Sequence, residues 1–469
     1  MRTEKDSMGE MAVPNDALYG ASTQRAVLNF PISGRPMPAP FIRGLALVKL
    51  ACAQANQELG LLSADKNAVI QVVAREILHG QHLGHFPVDI FQTGSGTSSN
   101  MNMNEVIATR GAQLGRESPA GGPTLHPNDD VNLSQSSNDV IPTALHVSVA
   151  LALHQKLIPA LRGLQEQLFD KSTEFSEVVK IGRTHLMDAT PLLLGQEFSG
   201  YAAQVEKSTA RVQQAIDGLR ELAVGGTAVG TGINCHPEFS RRVCRILSAE
   251  TGLKFEEASN HFEAQGARDD CVDVAGRLAT VAVSLAKIAS DVRLLGSGPR
   301  AGIGELILPP TQPGSSIMPG KVNPVMSEML IQVCHYVQGL VQTVVMCGRD
   351  GQFELNVTMP LMAHCLHEAV HCLANGAQVF AEKCVKGLTA DVLRCQEMVN
   401  RSLMLVTALN PLIGYDQAAS VAKEALASGR TLREIVLDRG LLDAATLDRL
   451  LDPRSMIHPG AKVSGAGGG

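Results

Sequence analysis

The chain has 469 residues, more than one ordinary domain holds, with 45% hydrophobic residues, 3% aromatics and no Trp. Its core must be aliphatic, which suits packed helices and argues against a β-sandwich, whose strands favour aromatic and β-branched residues. A formal net charge of −6 without a long basic run excludes nucleic acid or an anionic membrane surface as the main partner, yet a small anionic substrate still fits a locally cationic site.

Residues 1–40 are rich in Pro and Gly and read as irregular chain. Met1-Arg-Thr-Glu-Lys-Asp6 has no apolar signal core, and Glu4, Asp6 and Glu10 are unlike a mitochondrial presequence, so the expected compartment is the cytoplasm. Ten scattered Cys with no Cys-x-x-Cys pair agree with reduced, buried thiols. Helical spacing predicts helices over 42–59, 66–79 and 102–113, with loops at 92–100 and 115–130.

Five long apolar segments follow: 142–172 with a kink at Pro159, 191–222 with Thr190 as its N-cap, 270–295, 324–347 and 360–385. Helices of that length need partners along their whole length, so a central bundle of five long helices is expected. The fourth carries Glu328 as its one full charge. Ser327, Gln332, His335, Gln338 and Gln342 weigh against a membrane span, and near-uniform apolarity predicts burial through self-association. Shorter helices at 416–427, 431–437 and 443–451 suggest a small C-terminal domain, and the tail Ser464–Gly469 reads as disordered. The expected fold is all-α (mainly helical) with three domains: 1–138, the central bundle 139–395, and 396–469.

Four polar, Gly-rich stretches could carry chemistry: Gln92-Thr-Gly-Ser-Gly-Thr97; His126-Pro-Asn-Asp-Asp130 with Ser136-Ser-Asn138; Gly182-Arg-Thr-His185; and Gly314-Ser-Ser-Ile-Met-Pro-Gly-Lys-Val-Asn-Pro324. In the last, Lys321 and Asn323 lead straight into a helix. Asn323 can cap it and Pro324 suits its first turn. Free N–H groups at a helix start beside a lysine make a carboxylate site. Ser95, Thr97, Ser136, Ser137 and Asn138 offer hydroxyl and amide donors at other helix starts, although turn and cap chemistry alone explains such residues. His185 can handle protons near neutral pH, and Glu328 in an apolar helix needs a partner; a His–Glu pair would satisfy both. The Gly226–Gly232 run lacks a dinucleotide-binding context. His367-Glu-Ala-Val-His371 matches a zinc-peptidase pattern, but Glu382 and Glu397 are poorly placed as a third ligand.

Taken together these stretches resemble the fumarase/aspartase superfamily. Gly314 to Pro324 looks like its signature, and the likeness runs from Glu4-Lys-Asp-Ser-Met-Gly-Glu10 to Thr407-Ala-Leu-Asn-Pro-Leu-Ile-Gly-Tyr415. Gln92 to Thr97, Thr184-His-Leu-Met-Asp-Ala-Thr-Pro191, Phe262-Glu-Ala264, Gly302-Ile-Gly-Glu305 and Pro313 favour the fumarase branch. Pro324-Val-Met, Phe91 and Ser98 depart from it, and aspartate ammonia-lyase is the alternative.

The resemblance implies a homotetramer with a twenty-helix core and active sites shared between three subunits. It implies hydration of fumarate to L-malate through an aci-carboxylate carbanion, with no metal or organic cofactor. It assigns Ser315 as base and His185 paired with Glu328 as the group that protonates hydroxide or activates water. Lys321, Val322, Asn323 and Ser316 bind substrate together with Ser95, Gly96, Thr97, Ser136, Ser137, Asn138 and Thr184. His126, Pro127, Asn128 and Asp129 match a second, noncatalytic anion site. A zinc hydrolase at 367–371 and a noncatalytic bundle are the competing readings.

Overall fold

The computed structural model describes residues 1–117 and 122–459. The tail expected to be disordered, and residues 118–121 of the loop expected over 115–130, lie outside the described residues. The described residues pack as two compact units: those within 1–160, 208–283 and 333–375 in one, and those within 161–207, 284–332 and 376–469 in the other. The boundaries fall within long helices.

The fold is mainly helical. In the first unit, a hairpin of β1 (Arg2–Asp6) and β2 (Gly9–Val13) precedes α1 (Ala21–Asn29), where irregular chain was expected. Both were hidden for a physical reason. Strand β1 is entirely polar, and α1 has no side-chain cap of its own. Its free N–H groups are met by Glu105, 82 to 85 residues away, which accepts from Gly20 N, Ser22 N, Thr23 N and Thr23 Oγ1 at 2.6–3.1 Å. Helices α2 (Ala39–Glu58), α3 (Ala64–Leu78), α4 (Thr97–Glu117) and α5 (Ser137–Ala152) pack around aliphatic side chains such as Leu45, Ile70, Val106 and Leu145. Helix α4 starts five residues before the expected Asn102. Helix α5 starts five before Pro142, because Ser136 and Asp139 form a capping box ahead of it.

Helix α5 runs through a π-helical turn, Leu153–Leu157, into α6 (Ile158–Glu174). Ile158 N donates to Leu153 O, a bond one residue wider than α. This turn stands at the expected kink, since Pro159 can neither donate to Gln155 O nor tolerate its close approach.

The second unit holds the hairpin of β3 (Val179–Thr184) and β4 (Met187–Leu193). Thr190 and Pro191 were expected to open a helix. They are extended instead, with Pro191 opposite Ile181, and α7 (Leu194–Gly218) begins three residues later. Helices α8 (Phe239–Thr251) and α9 (His261–Gly266) belong to the first unit. Next come α10 (Asp269–Leu295), α11 (Val325–Arg349) and α12 (Met359–Lys383). The C-terminal helices α13 (Val392–Arg401), α14 (Asn410–Ile413), α15 (Tyr415–Ser428), α16 (Leu432–Asp438) and α17 (Ala444–Leu450) surround Val399, Leu409, Val421 and Ile435.

The α5–α6 run and α11 are long and apolar enough to cross a membrane. Their polar groups nevertheless bond within the fold: Ser148 Oγ meets His367 Nε2, and Gln338 Nε2 donates to Ala279 O. Tyr336, Val345 and Met346 leave part of α11 exposed in the single chain. No disulfide forms among the described residues, and all the cysteines except Cys235 and Cys372 are buried.

A buried ion network fixes the β3–β4 hairpin. The guanidinium of Arg183 donates to both oxygens of the fully buried Glu305 at 2.9 and 2.8 Å, and Lys180 Nζ lies 3.3 Å from Glu305 and 3.4 Å from Glu197. Removing one partner strands charge in low dielectric. Glu305→Ala is expected to lower the unfolding free energy by about 3–5 kcal/mol, read by chemical denaturation. Wild-type stability would contradict the role given to this network.

Candidate active site

In the first unit, segment 92–97 is shaped by close approach. A Cβ on Gly94 would lie 1.7 Å from Val357 O, and one on Gly96, at φ +75°, 2.8 Å from Ile141. Met359 N donates to Gly94 O at 3.1 Å, and Gln92 Oε1 accepts from Ser99 N and Oγ at 3.0 and 2.8 Å. The result is a chain of hydroxyls: Ser95 Oγ to Thr97 Oγ1 at 2.8 Å, then to Ser137 Oγ at 2.7 Å. Ser136 caps α5, while Asn138 Nδ2 donates to Ala228 O at 2.8 Å. Ser95, Gly96, Thr97, Ser136, Ser137 and Asn138 are thus brought together at the N-termini of α4 and α5, where free N–H groups and the helix dipole favour an anion.

The second unit carries the other stretches. His185 and Leu186, at φ +57° and +61°, form the two-residue turn between β3 and β4. That pattern is a type I′ hairpin, so Thr184 and His185 stand exposed at a hairpin tip rather than before a helix.

The 314–323 segment is a closed loop. Gly314 N donates to Lys321 O at 2.9 Å and Asn323 Nδ2 to Gly314 O at 2.6 Å. Asn323 therefore closes the loop instead of capping α11, and Glu328 N bonds back to Pro324 O. Inside it, Ser315 Oγ accepts from Ile317 N at 3.2 Å and Met318 N at 3.0 Å. Two donors on one oxygen favour its negative form. Lys321 is exposed, and no ion pair or hydrogen bond of its ammonium is found among the described residues. Ser316 and Val322 are exposed, Glu328 is half-buried, and within one chain no hydrogen bond or ion pair joins Glu328 to His185 among the described residues.

His126, Pro127, Asn128 and Asp129 lie in and before a π-helical turn, Pro127–Val131. His126 Nδ1 lies 3.1 Å from Asp129 N and 3.2 Å from Asp129 Oδ2. In the zinc-like segment, His367 Nε2 turns to Ser148 and His371 Nε2 to Asn375 Nδ2 at 3.1 Å. Burial pushes the His367 imidazole down to about 4. Among the described residues no group of three His, Cys, Asp or Glu side chains is placed to hold a metal ion.

A "Lyase" family model matches residues 9–339 and a "Fumarase C C-terminus" model residues 405–458. A class II fumarate hydratase of Mycobacterium tuberculosis is 52% identical over 460 residues, covering 97% of this chain and 96% of its own. One from Xylella fastidiosa is 48% identical over 468 residues, covering 100% of this chain and 98% of its own. The crystal structure of a class II fumarase from Schistosoma mansoni superposes with a TM-score of 0.94 at 40% identity, covering 97% and 98% of the two chains. The chain belongs to the class II fumarate hydratase family.

Two features of this fumarase-family chain escaped the sequence reading. Asp139 is fully buried and accepts N–H bonds from Ser136, Gly225 and Thr227 at 2.9, 2.9 and 3.0 Å. Lys49, also fully buried, donates to Asn132 Oδ1 and Gln135 Oε1, both at 2.9 Å, and burial pushes it down to about 7. Asp139, three residues after Ser136, carried a legible cap signal. Lys49 carried none, being one lysine in an apolar helix.

Loop closure at 314 admits no side chain: a Cβ there would lie 2.3 Å from Lys321 O. Gly314→Ala should keep the helical circular dichroism and lower turnover about a hundredfold, since displacing reacting groups by about 1 Å costs that much. Full turnover would show that loop closure is dispensable.

Proposed function

We propose that the protein is a fumarate hydratase that adds water reversibly across fumarate to give L-malate. The observation that carries this reading is the 314–323 loop, where two N–H groups converge on Ser315 Oγ and Lys321 remains available to a carboxylate.

Seen from malate, an ionised Ser315 Oγ takes the proton from the carbon beside one carboxylate. The electron pair moves onto that carboxylate, which becomes a doubly charged aci-carboxylate. Lys321 and Asn323, with backbone N–H groups of the loop, stabilise that charge, and Ser316 and Val322 line it. Hydroxide then leaves the neighbouring carbon with a proton from His185. Ser95, Gly96, Thr97, Ser136, Ser137, Asn138 and Thr184 hold the carboxylates. Proton transfer and charge stabilisation by these groups are sufficient, so the proposed mechanism uses no metal or organic cofactor.

A homotetramer, with each site drawn from three subunits, lets His185 of one chain meet Glu328 of another. It also covers the apolar face of α11. Support comes from the family, whose members match over nearly the whole chain. We place the enzyme in the cytoplasm. The 126–129 turn serves as a second, noncatalytic anion site, with His126 as donor.

Fumarate absorbance, followed with and without ammonium, tests the reaction. Loss without ammonium is expected; loss only with it would mean an ammonia-lyase. Ser315→Ala should reduce turnover at least about a thousandfold while the oligomer persists in size-exclusion chromatography. Wild-type turnover would remove Ser315 from the mechanism.

A further inference from the structure

We propose that Asp139 is a positioning residue, whose buried carboxylate locks the Gly225–Gly232 loop against the Ser136–Asn138 turn and so sets how that turn holds a substrate carboxylate. The inference rests on the proposed hydratase reading for its substrate, and on geometry for the lock itself.

An ordinary capping box needs one carboxylate oxygen. Asp139 uses Oδ1 in this way, on Ser136 N at 2.9 Å. Its Oδ2 turns away from the helix and accepts from Gly225 N and Thr227 N at 2.9 and 3.0 Å, 86 and 88 residues along the chain. The loop it grips is internally braced, since Gly230 N and Gly232 N both donate to Gly226 O at 2.9 and 3.1 Å. Thr227 sits at φ +55°, a conformation that a β-branched residue holds only under constraint. Gln265 Nε2 pins its carbonyl at 2.9 Å, and a Cβ on Gly226 would lie 2.1 Å from Gln265 Oε1.

The loop in turn acts on the substrate turn, because Ala228 O accepts from Asn138 Nδ2 at 2.8 Å. Asn138 is therefore oriented by a loop that Asp139 holds. Without the carboxylate, Gly225 N and Thr227 N lose their acceptor in a buried setting, which is costly. Burial pushes the carboxyl up to about 6 while the three N–H donors pull it down. The charge of Lys49 also pulls it down, whereas Cys52 and Cys235, the thiols on which it acts, are pushed up by burial and stay neutral. Three N–H donors on its two oxygens favour the ionised form, which accepts all three bonds.

The test uses Asp139→Asn in the full-length protein, with steady-state kinetics and hydrogen–deuterium exchange by mass spectrometry. Uniform loss of carboxylate binding should raise KM about tenfold or more and change kcat by less than about threefold. A merely structural role would reduce the amount of active enzyme, lowering apparent kcat at unchanged KM. Peptides covering 223–230 should exchange about tenfold faster, with the rest of the chain unchanged. Unchanged exchange there, or faster exchange with unchanged KM, would overturn the proposal. If the variant does not fold, the wild type decides: the amides of Gly225 and Thr227 should be as protected as that of Ser136, and independent, faster exchange would overturn the lock. Absence of fumarate turnover in the wild type would instead overturn the hydratase reading, leaving the exchange result to judge the lock by itself.

Discussion

A serine hydroxyl is too weak an acid to serve as a base at neutral pH unless its surroundings favour the alkoxide, and the proposed chemistry depends on that constraint being met at Ser315. Two backbone N–H groups, from Ile317 and Met318, converge on Ser315 Oγ. They can do so because the loop is tied shut through Gly314 N to Lys321 O and Asn323 Nδ2 to Gly314 O. Preorganised donors need no rearrangement at the moment of reaction, which is where their advantage over water lies. Lys321 adds a full positive charge to the same loop.

The same economy recurs in the first unit, where the hydroxyls of Ser95, Thr97 and Ser137 form a continuous chain at two helix starts. In the proposed reaction, neutral donors of this kind are assigned to the carboxylate that stays singly charged and a cationic loop to the one that gains an electron pair. His185 is placed differently, on a hairpin tip whose base is held by Arg183, Lys180 and the buried Glu305. The hydroxyl chain and His185 are thus positioned by helix starts and a strand turn, with a buried carboxylate, Asp139 or Glu305, behind each.

Much of the helical fold was legible because aliphatic residues repeat at helical spacing and Gly and Pro punctuate the gaps. The long helices were expected close to where they stand. Each failure turns on a partner outside the segment itself, distant for α1 and across a tight turn for β4. Helix α1 is capped by Glu105, and Thr190 and Pro191 join a strand because residues 179–184 pair with that segment. The motif residues were legible from local chemistry and from family likeness, but their arrangement was not. Asn323 offered a cap by its position and instead closes a loop through a side-chain bond to Gly314. Lys49 gave no sign that it sits buried beneath Asn132 and Gln135.

The most direct test of the central claim is a crystal structure of the enzyme with malate bound. The account predicts one malate carboxylate within hydrogen-bond distance of Lys321, Asn323 and the loop N–H groups, with Ser315 Oγ facing the adjacent carbon. Malate bound away from segment 314–323 of every subunit would contradict it.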